Sequence, residues 1–98
     1  MTRAQQRMII ELARVGGVCC LYRDSRHRFT VHTGPEIARR VTLDALVDRG
    51  LLASTVIDFA DGEGCIEYAP TADFWTAHDS ISDRDRAYLS GWYGVDYC

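Results

Sequence analysis

Apolar residues along this chain recur first at helical, then at strand spacing, and the switches between the two periods predict its elements. Ala4, Met8, Ile9, Leu12, Ala13 and Val15 return every three or four residues, which predicts a helix from about Thr2 to Val15 with one apolar stripe. Thr2 is a suitable cap, and Gly16-Gly17 stops the helix. Val18 to Tyr22 and Phe29 to Val31 are rich in strand-favouring residues, and the polar stretch Arg23-Asp24-Ser25-Arg26-His27-Arg28 between them predicts a hairpin turn. Thr33-Gly34-Pro35-Glu36 has the form of a helix start, with Thr as cap, Pro in the first turn and Glu three residues after the cap. A second helix is therefore expected over Ile37 to Arg49, closed by Gly50.

The helical wheel of that second helix is clean only in its later half. Leu43, Leu46, Val47 and Gly50 fall within about 100° of arc, but extending the wheel backwards puts Arg39 on the buried face. A kink or a short separate helix near Arg40–Thr42 resolves the conflict. A second hairpin follows, with Thr55 to Phe59 and Cys65 to Tyr68 flanking Asp61-Gly62-Glu63-Gly64, a turn whose glycines admit positive φ. After Pro70, Thr71 is placed to cap a short helix through Phe74 and Trp75. Ser82-Asp83-Arg84-Asp85 opens a last one, to about Trp92. The expectation is one α+β domain over 1–98, in the order α-β-β-α-β-β-α. Small antiparallel hairpins would pack on a helical core, with an acidic, aromatic extension from about 71 to 98.

Composition narrows the class. At 98 residues, with 47% apolar and 26% charged side chains, the chain has the make-up of a globular domain with one modest core. No apolar run reaches the roughly 18 residues needed to cross a bilayer, and the amino end has no apolar leader stretch, so a cytoplasmic protein without membrane partners is expected. Of the four cysteines, Cys19 and Cys20 are adjacent and would point to opposite sheet faces; reduced, structural thiols are the expectation for these and for Cys65 and Cys98. Lysine and asparagine are both missing, as in a protein from a GC-rich bacterial or phage genome. Arginine is then the only strong cation in use, which weakens any inference from its abundance.

Charge is polarised along the chain. Residues 1–50 carry nine arginines against five acids, a net of +4; residues 51–98 carry two against nine, a net of −7. One face is suited to an anion and another would repel it.

Thr42-Leu43-Asp44-Ala45-Leu46-Val47-Asp48-Arg49-Gly50-Leu51-Leu52 resembles the end of the third helix in winged-helix domains, where a helix closes with L-x-x-R-G-L-L and runs directly into a β-hairpin wing. The resemblance continues through Thr55–Tyr68 and Thr71, and covers residues 36–75. It implies that Leu46 and Val47 pack inward, that Gly50 takes a left-handed turn, and that Leu51 and Leu52 return over the core. It further implies that Arg39, Arg40 and Thr42 meet base edges or phosphates, with the wing against the backbone. The chain departs from the family in one respect. A hairpin occupies most of the positioning helix's place and leaves only Pro35–Arg40 for that part.

Three clusters are candidate sites. The first hairpin tip gathers Tyr22, Arg23, Arg26, His27 and Arg28, guanidiniums and an aromatic ring suited to phosphate, RNA or an acidic protein; the plain alternative is a polar turn. The wing carries Asp58, Asp61, Glu63 and Glu67, and the helix before it Asp44 and Asp48, charges that oppose phosphate. The last quarter concentrates Phe74, Trp75, Tyr88, Trp92, Tyr93 and Tyr97 among acids, as an interface or homodimer face would, or simply as core. Cys19, Cys20, His27, His32 and Cys65 form no C-x-x-C or H-x-x-x-H pair, no catalytic constellation stands out, and no cofactor motif is present, so neither metal, cofactor nor enzymatic activity is expected.

Two functions fit these features. One is a winged-helix-like nucleic-acid-binding protein of the transcription-regulator kind, using the basic hairpin and the second helix start. The other is a protein-binding inhibitor or adaptor from a phage or mobile element, which would hold a nucleic-acid-binding complex through its acidic wing, Trp75, Trp92 and Tyr93. That second protein is similar to anti-CRISPR proteins in being short, acidic and free of catalytic motifs.

Overall fold

The computed structural model describes residues 1–35 and 38–89. Helix α1 (Arg3–Arg14) opens at Thr2, whose hydroxyl accepts from the Gln5 N–H at 3.1 Å while the Gln5 side chain accepts from the Thr2 N–H at 3.2 Å. This reciprocal box satisfies two amide groups that the first helical turn leaves open. The apolar stripe is narrower than its period suggests. Met8, Ile9, Ile10 and Leu12 are buried, whereas Ala4 and Val15 at the ends are exposed. Gly17 closes the helix at φ +87° by donating to the Leu12 carbonyl. A side chain at Gly17 would also meet the Pro70 ring, its Cβ only 2.8 Å from Cγ.

The strands are β1 (Cys19–Arg23), β2 (Phe29–Thr33), β3 (Leu52–Asp58) and β4 (Gly64–Pro70). The two expected hairpins do not stay separate. β1 pairs antiparallel with β4, and the four strands form one sheet in the order β2-β1-β4-β3. Pairing through the middle satisfies both ladders of β1 and β4 and leaves β2 and β3 as edges.

Thr33 does not cap a helix as its motif suggested; it ends β2, and Gly34 turns the chain at φ +109° against Cys19. Helix α2 (Arg40–Asp48) begins only after Arg39, its extended cap residue. The start is therefore three residues later than expected, and Arg39 stays at the surface. The conflict on the wheel marked a boundary, since Arg39 on a continued helix would have faced the core. Beyond Asp48, Gly50 adopts φ +76° and Leu51 and Leu52 drop into the core. Helix α3 (Ala72–Asp79) follows Thr71, the cap residue by position, but its hydroxyl donates to the carbonyls of Gly50 (2.7 Å) and Leu51 (3.1 Å) instead of capping. It pins the α2–β3 junction to the end of β4. A helical segment over 83–89 is capped by Ser82, whose hydroxyl accepts from Asp85 N–H.

Directly opposed residues in an antiparallel pair point to the same side, so the register fixes the two faces. Cys19, Leu21, Ile66 and Tyr68 point to the helices and join Leu43, Leu46, Phe74, Ile81 and Leu89 in the core. Cys20, Tyr22, Cys65, Glu67, Thr55 and Ile57 line the other face. Among the described residues no helix is long and apolar enough to cross a membrane.

Candidate nucleic-acid interface

The antiparallel registers bring both hairpin tips to the same end of the sheet, because Gly64 at the start of β4 stands opposite Arg23 at the end of β1 and Asp58 at the end of β3. The basic tip is a tight turn built on Asp24. Its carboxylate Oδ1 accepts from the N–H groups of Arg26 and Arg28, both at 2.9 Å, and Oδ2 lies 3.4 Å from the Arg28 guanidinium. The backbone N–H of Arg28 is the largest influence holding the Asp24 carboxyl below its ordinary range, with Arg26 N–H and the Arg28 charge adding to it. His27 takes the left-handed conformation at φ 62°. Arg26 and His27 are exposed, and among the described residues Arg26 has no ion-pair partner.

Arg23 does not belong to an open anion site. Its guanidinium crosses to the wing, donating to Asp58 Oδ1 (2.8 Å), to the Gly62 carbonyl (3.2 Å) and to the Glu63 carbonyl (3.4 Å). It lies where a side chain at residue 64 would be. A Cβ there would sit 2.9 Å from Arg23 Nη2 and 2.5 Å from the Ile57 carbonyl, so Gly64 is required for close approach and not for a turn. The positive φ of the wing belongs to Asp61 and Gly62, in the 3-10 turn Ala60–Gly62. Tyr22 is hydrogen-bonded to Glu63, which raises the pKa of its hydroxyl. Two of the four wing acids are thus engaged by the neighbouring hairpin, while Asp61 and Glu67 remain exposed.

A second basic group joins the first along the β2 edge. Phe29 opens β2 at the tip end, and the Arg40 guanidinium lies over its ring at 4.5 Å. Arg40 Nε is 3.5 Å from Asp44 Oδ2, and Asp44 Oδ1 accepts from the Tyr68 hydroxyl at 2.7 Å. Tyr68 is fully buried on β4, and burial first, then Asp44, pushes its hydroxyl well above the ordinary tyrosine range. The chain Phe29–Arg40–Asp44–Tyr68 anchors the start of α2 on the sheet. Arg39 stands exposed beside it. Among the described residues the first turn of α2 has neither a capping side chain nor an acid. Thr42 is two residues past Arg40, about 200° round the helix, and does not share this side.

The solvent face of α2 past Arg40 is not basic. Val41 is 82% exposed, and Asp44, Ala45 and Asp48 continue the surface.

Trp75 lies far from the wing. It sits on α3, beyond the opposite end of β4, edge-on to Phe74 and beside His78, in a groove lined by Ile10, Ala13, Arg14 and Arg86. Arg86 is fixed there by the carbonyls of His78 and Ile81 and by the His78 ring. This anchor of the last helical segment has no periodic signature in the sequence. Trp92 and Tyr93, like Tyr97 and Cys98, lie outside the described residues. Cys19 is a core residue whose thiol burial pushes up to about 11, and Cys20 and Cys65 are half-buried free thiols on the open face. Among the described residues no three His, Cys, Asp or Glu side chains gather as metal ligands would.

Compared with protein-family models, with curated proteins and with solved structures, the chain matches none.

Proposed function

We propose that this protein is a small, non-enzymatic binding module with a winged-helix-like architecture, and that its basic β2 edge holds a nucleic-acid backbone, as a transcription regulator would. One observation carries the reading: Arg40 stacked on Phe29 places the α2 start beside the basic turn. Arg26, His27, Arg28, Arg39 and Arg40 then lie along one edge, and among the described residues only the acids Asp24 and Asp44 stand with them. The uncapped first turn of α2 adds backbone donors suited to a phosphate oxygen. The turn through Gly50 into β3 supports the winged-helix-like reading.

The expected mode is contact with phosphates rather than insertion of α2 into a groove. Apolar and acidic side chains on the outer face of α2 offer no base-reading set, and phosphate contacts position a protein without specifying sequence. The rival reading, a phage-type inhibitor that grips its target by an acidic wing and aromatic tail, is less supported. Arg23 and Tyr22 occupy Asp58 and Glu63, and Trp75 is at the other end of β4.

Replacing Arg26 and Arg28 together by alanine tests the proposal. Fluorescence anisotropy on a random-sequence duplex is expected to show weaker binding and a salt dependence shallower by about two, since each lost phosphate contact removes roughly 0.9 from the slope. Unchanged affinity and slope would exclude the basic edge.

A further inference from the structure

We propose that β3 is a self-pairing edge, through which two copies of this chain join antiparallel into one eight-stranded sheet. The edge is open in three respects. β3 pairs regularly with β4 from Leu52 to Asp58 without a bulge, and among the described residues no other strand pairs with its outer side. Hydrogen bonds from Phe59 N–H to Glu63 and from Thr71 N–H to Leu51 fix the ladder's phase. The odd-numbered residues bond to β4, so Ser54, Val56 and Asp58 direct their N–H and C=O groups outward. Both side-chain faces of the strand are bare: Val56 is 61% exposed on one and Ile57 39% on the other, and Phe59 just beyond the strand is 50% exposed.

Edge strands are ordinarily blunted by lysine, proline, a bulge or an inward-pointing charge. From Leu52 to Ile57 the strand has none of these, and its one charge, Asp58 at the far end, is paired with Arg23.

Charge complementarity selects a second copy as the occupant. With Thr55 opposite Thr55, Ser54 faces Val56 of the other chain, and the acidic tip of each wing runs back along its neighbour. The wing turn that carries Asp61 lies just past the far end of the ladder, and there it approaches the α2 end of the second copy, which carries Arg49, twice over by symmetry. Arg49 is the exposed cap residue at the end of α2, Asp61 is exposed at the wing turn, and neither has an ion-pair partner among the described residues. The basic β2 edges remain free on the outside. The inference is independent of what they bind.

Sedimentation velocity and native mass spectrometry on the full chain, with reductant present to keep the thiols apart, test the proposal. A concentration-dependent dimer is expected. Ser54→Pro removes an outward N–H that β4 does not use, and is expected to give a monomer with the parent's circular dichroism. Arg49→Asp alone and Asp61→Arg alone should each weaken dimerisation roughly tenfold, and the double swap should restore it. Asp48 adjoins Arg49, which is why the swap, rather than a deletion, is the deciding measurement. A parent chain that stays monomeric to its solubility limit would overturn the proposal. So would a dimer indifferent to both Ser54→Pro and the charge swap.

Discussion

The two edges of the sheet solve the same problem in opposite ways. β2 is short, and its register with β1 slips by one residue between Cys20 and Leu21, which places an extra residue on β2. Such a bulge interrupts the ladder a newcomer would have to continue. Arg40 stacks over Phe29 at the start of β2, and the strand leads from a turn of three arginines and a histidine. β3 is longer, regular and uncharged until Asp58, with apolar side chains bare on both faces. The lesson is that an edge is defined by what its backbone and flanking charges permit. By that measure the β2 edge, proposed to hold an anion, resists another strand, whereas the β3 edge, proposed to pair with itself, does not.

Both edges hang from β4 and β1, and the sharpest way to break the comparison is at their common support. Tyr68→Ala removes a fully buried aromatic ring on β4 and is expected to cost about 3–5 kcal/mol, enough to unfold both edges together in a denaturant titration. Tyr68→Phe keeps the ring and removes only the donor to Asp44. It should cost about 1–2 kcal/mol and loosen the α2 start while leaving β3 paired, read as faster amide exchange confined to the first turns of α2. Equal loss of protection on β3 would show that the edges are not separately supported.

Arg23 and Arg26, three residues apart in one turn, give a smaller contrast. Arg23→Ala breaks the latch to Asp58 and two wing carbonyls and is expected to destabilise by about 1–3 kcal/mol. Arg26→Ala should stay within about 0.5 kcal/mol while weakening nucleic-acid binding. The reverse ranking in thermal melts would exchange their roles.

The smallest effect is a titration. Asp24 has a lowered carboxyl pKa in the fold, so the stabilisation it contributes is present above its unfolded value and disappears as pH falls through the folded one. The turn should therefore stay intact at neutral pH and loosen only in acid, below the ordinary value of 3.8. The amide shifts of Arg26 and Arg28 should report that midpoint, and a midpoint at or above 3.8 would contradict the two N–H bonds.

Much of this molecule is legible from local rules, and its misreadings have local causes. Both strand pairs follow from period and turn chemistry, and the left-handed Gly50 and the inward Leu51 and Leu52 agree with what the resemblance at residues 42–52 implied. The motif at Thr33-Gly34-Pro35-Glu36 misled because cap-forming residues also end strands, and β1 had already claimed Thr33 for its ladder. Arg23 looked equivalent to Arg26 and Arg28 because sequence distance hides Asp58, which lies beside it only once β1 and β4 pair. For the same reason the acidic wing and Trp75, near one another in the chain, stand at opposite ends of a strand.

Sequence alone determined the kinds and approximate order of the elements, the turns and the caps at Thr2 and Ser82, because these depend on neighbours within a few residues. Only the tertiary structure decided that two hairpins make one sheet, which strands lie at its edges, and which arginines remain free. Those outcomes depend on pairing between segments about 40 residues apart. Backbone groups and charges there choose partners by space rather than by sequence.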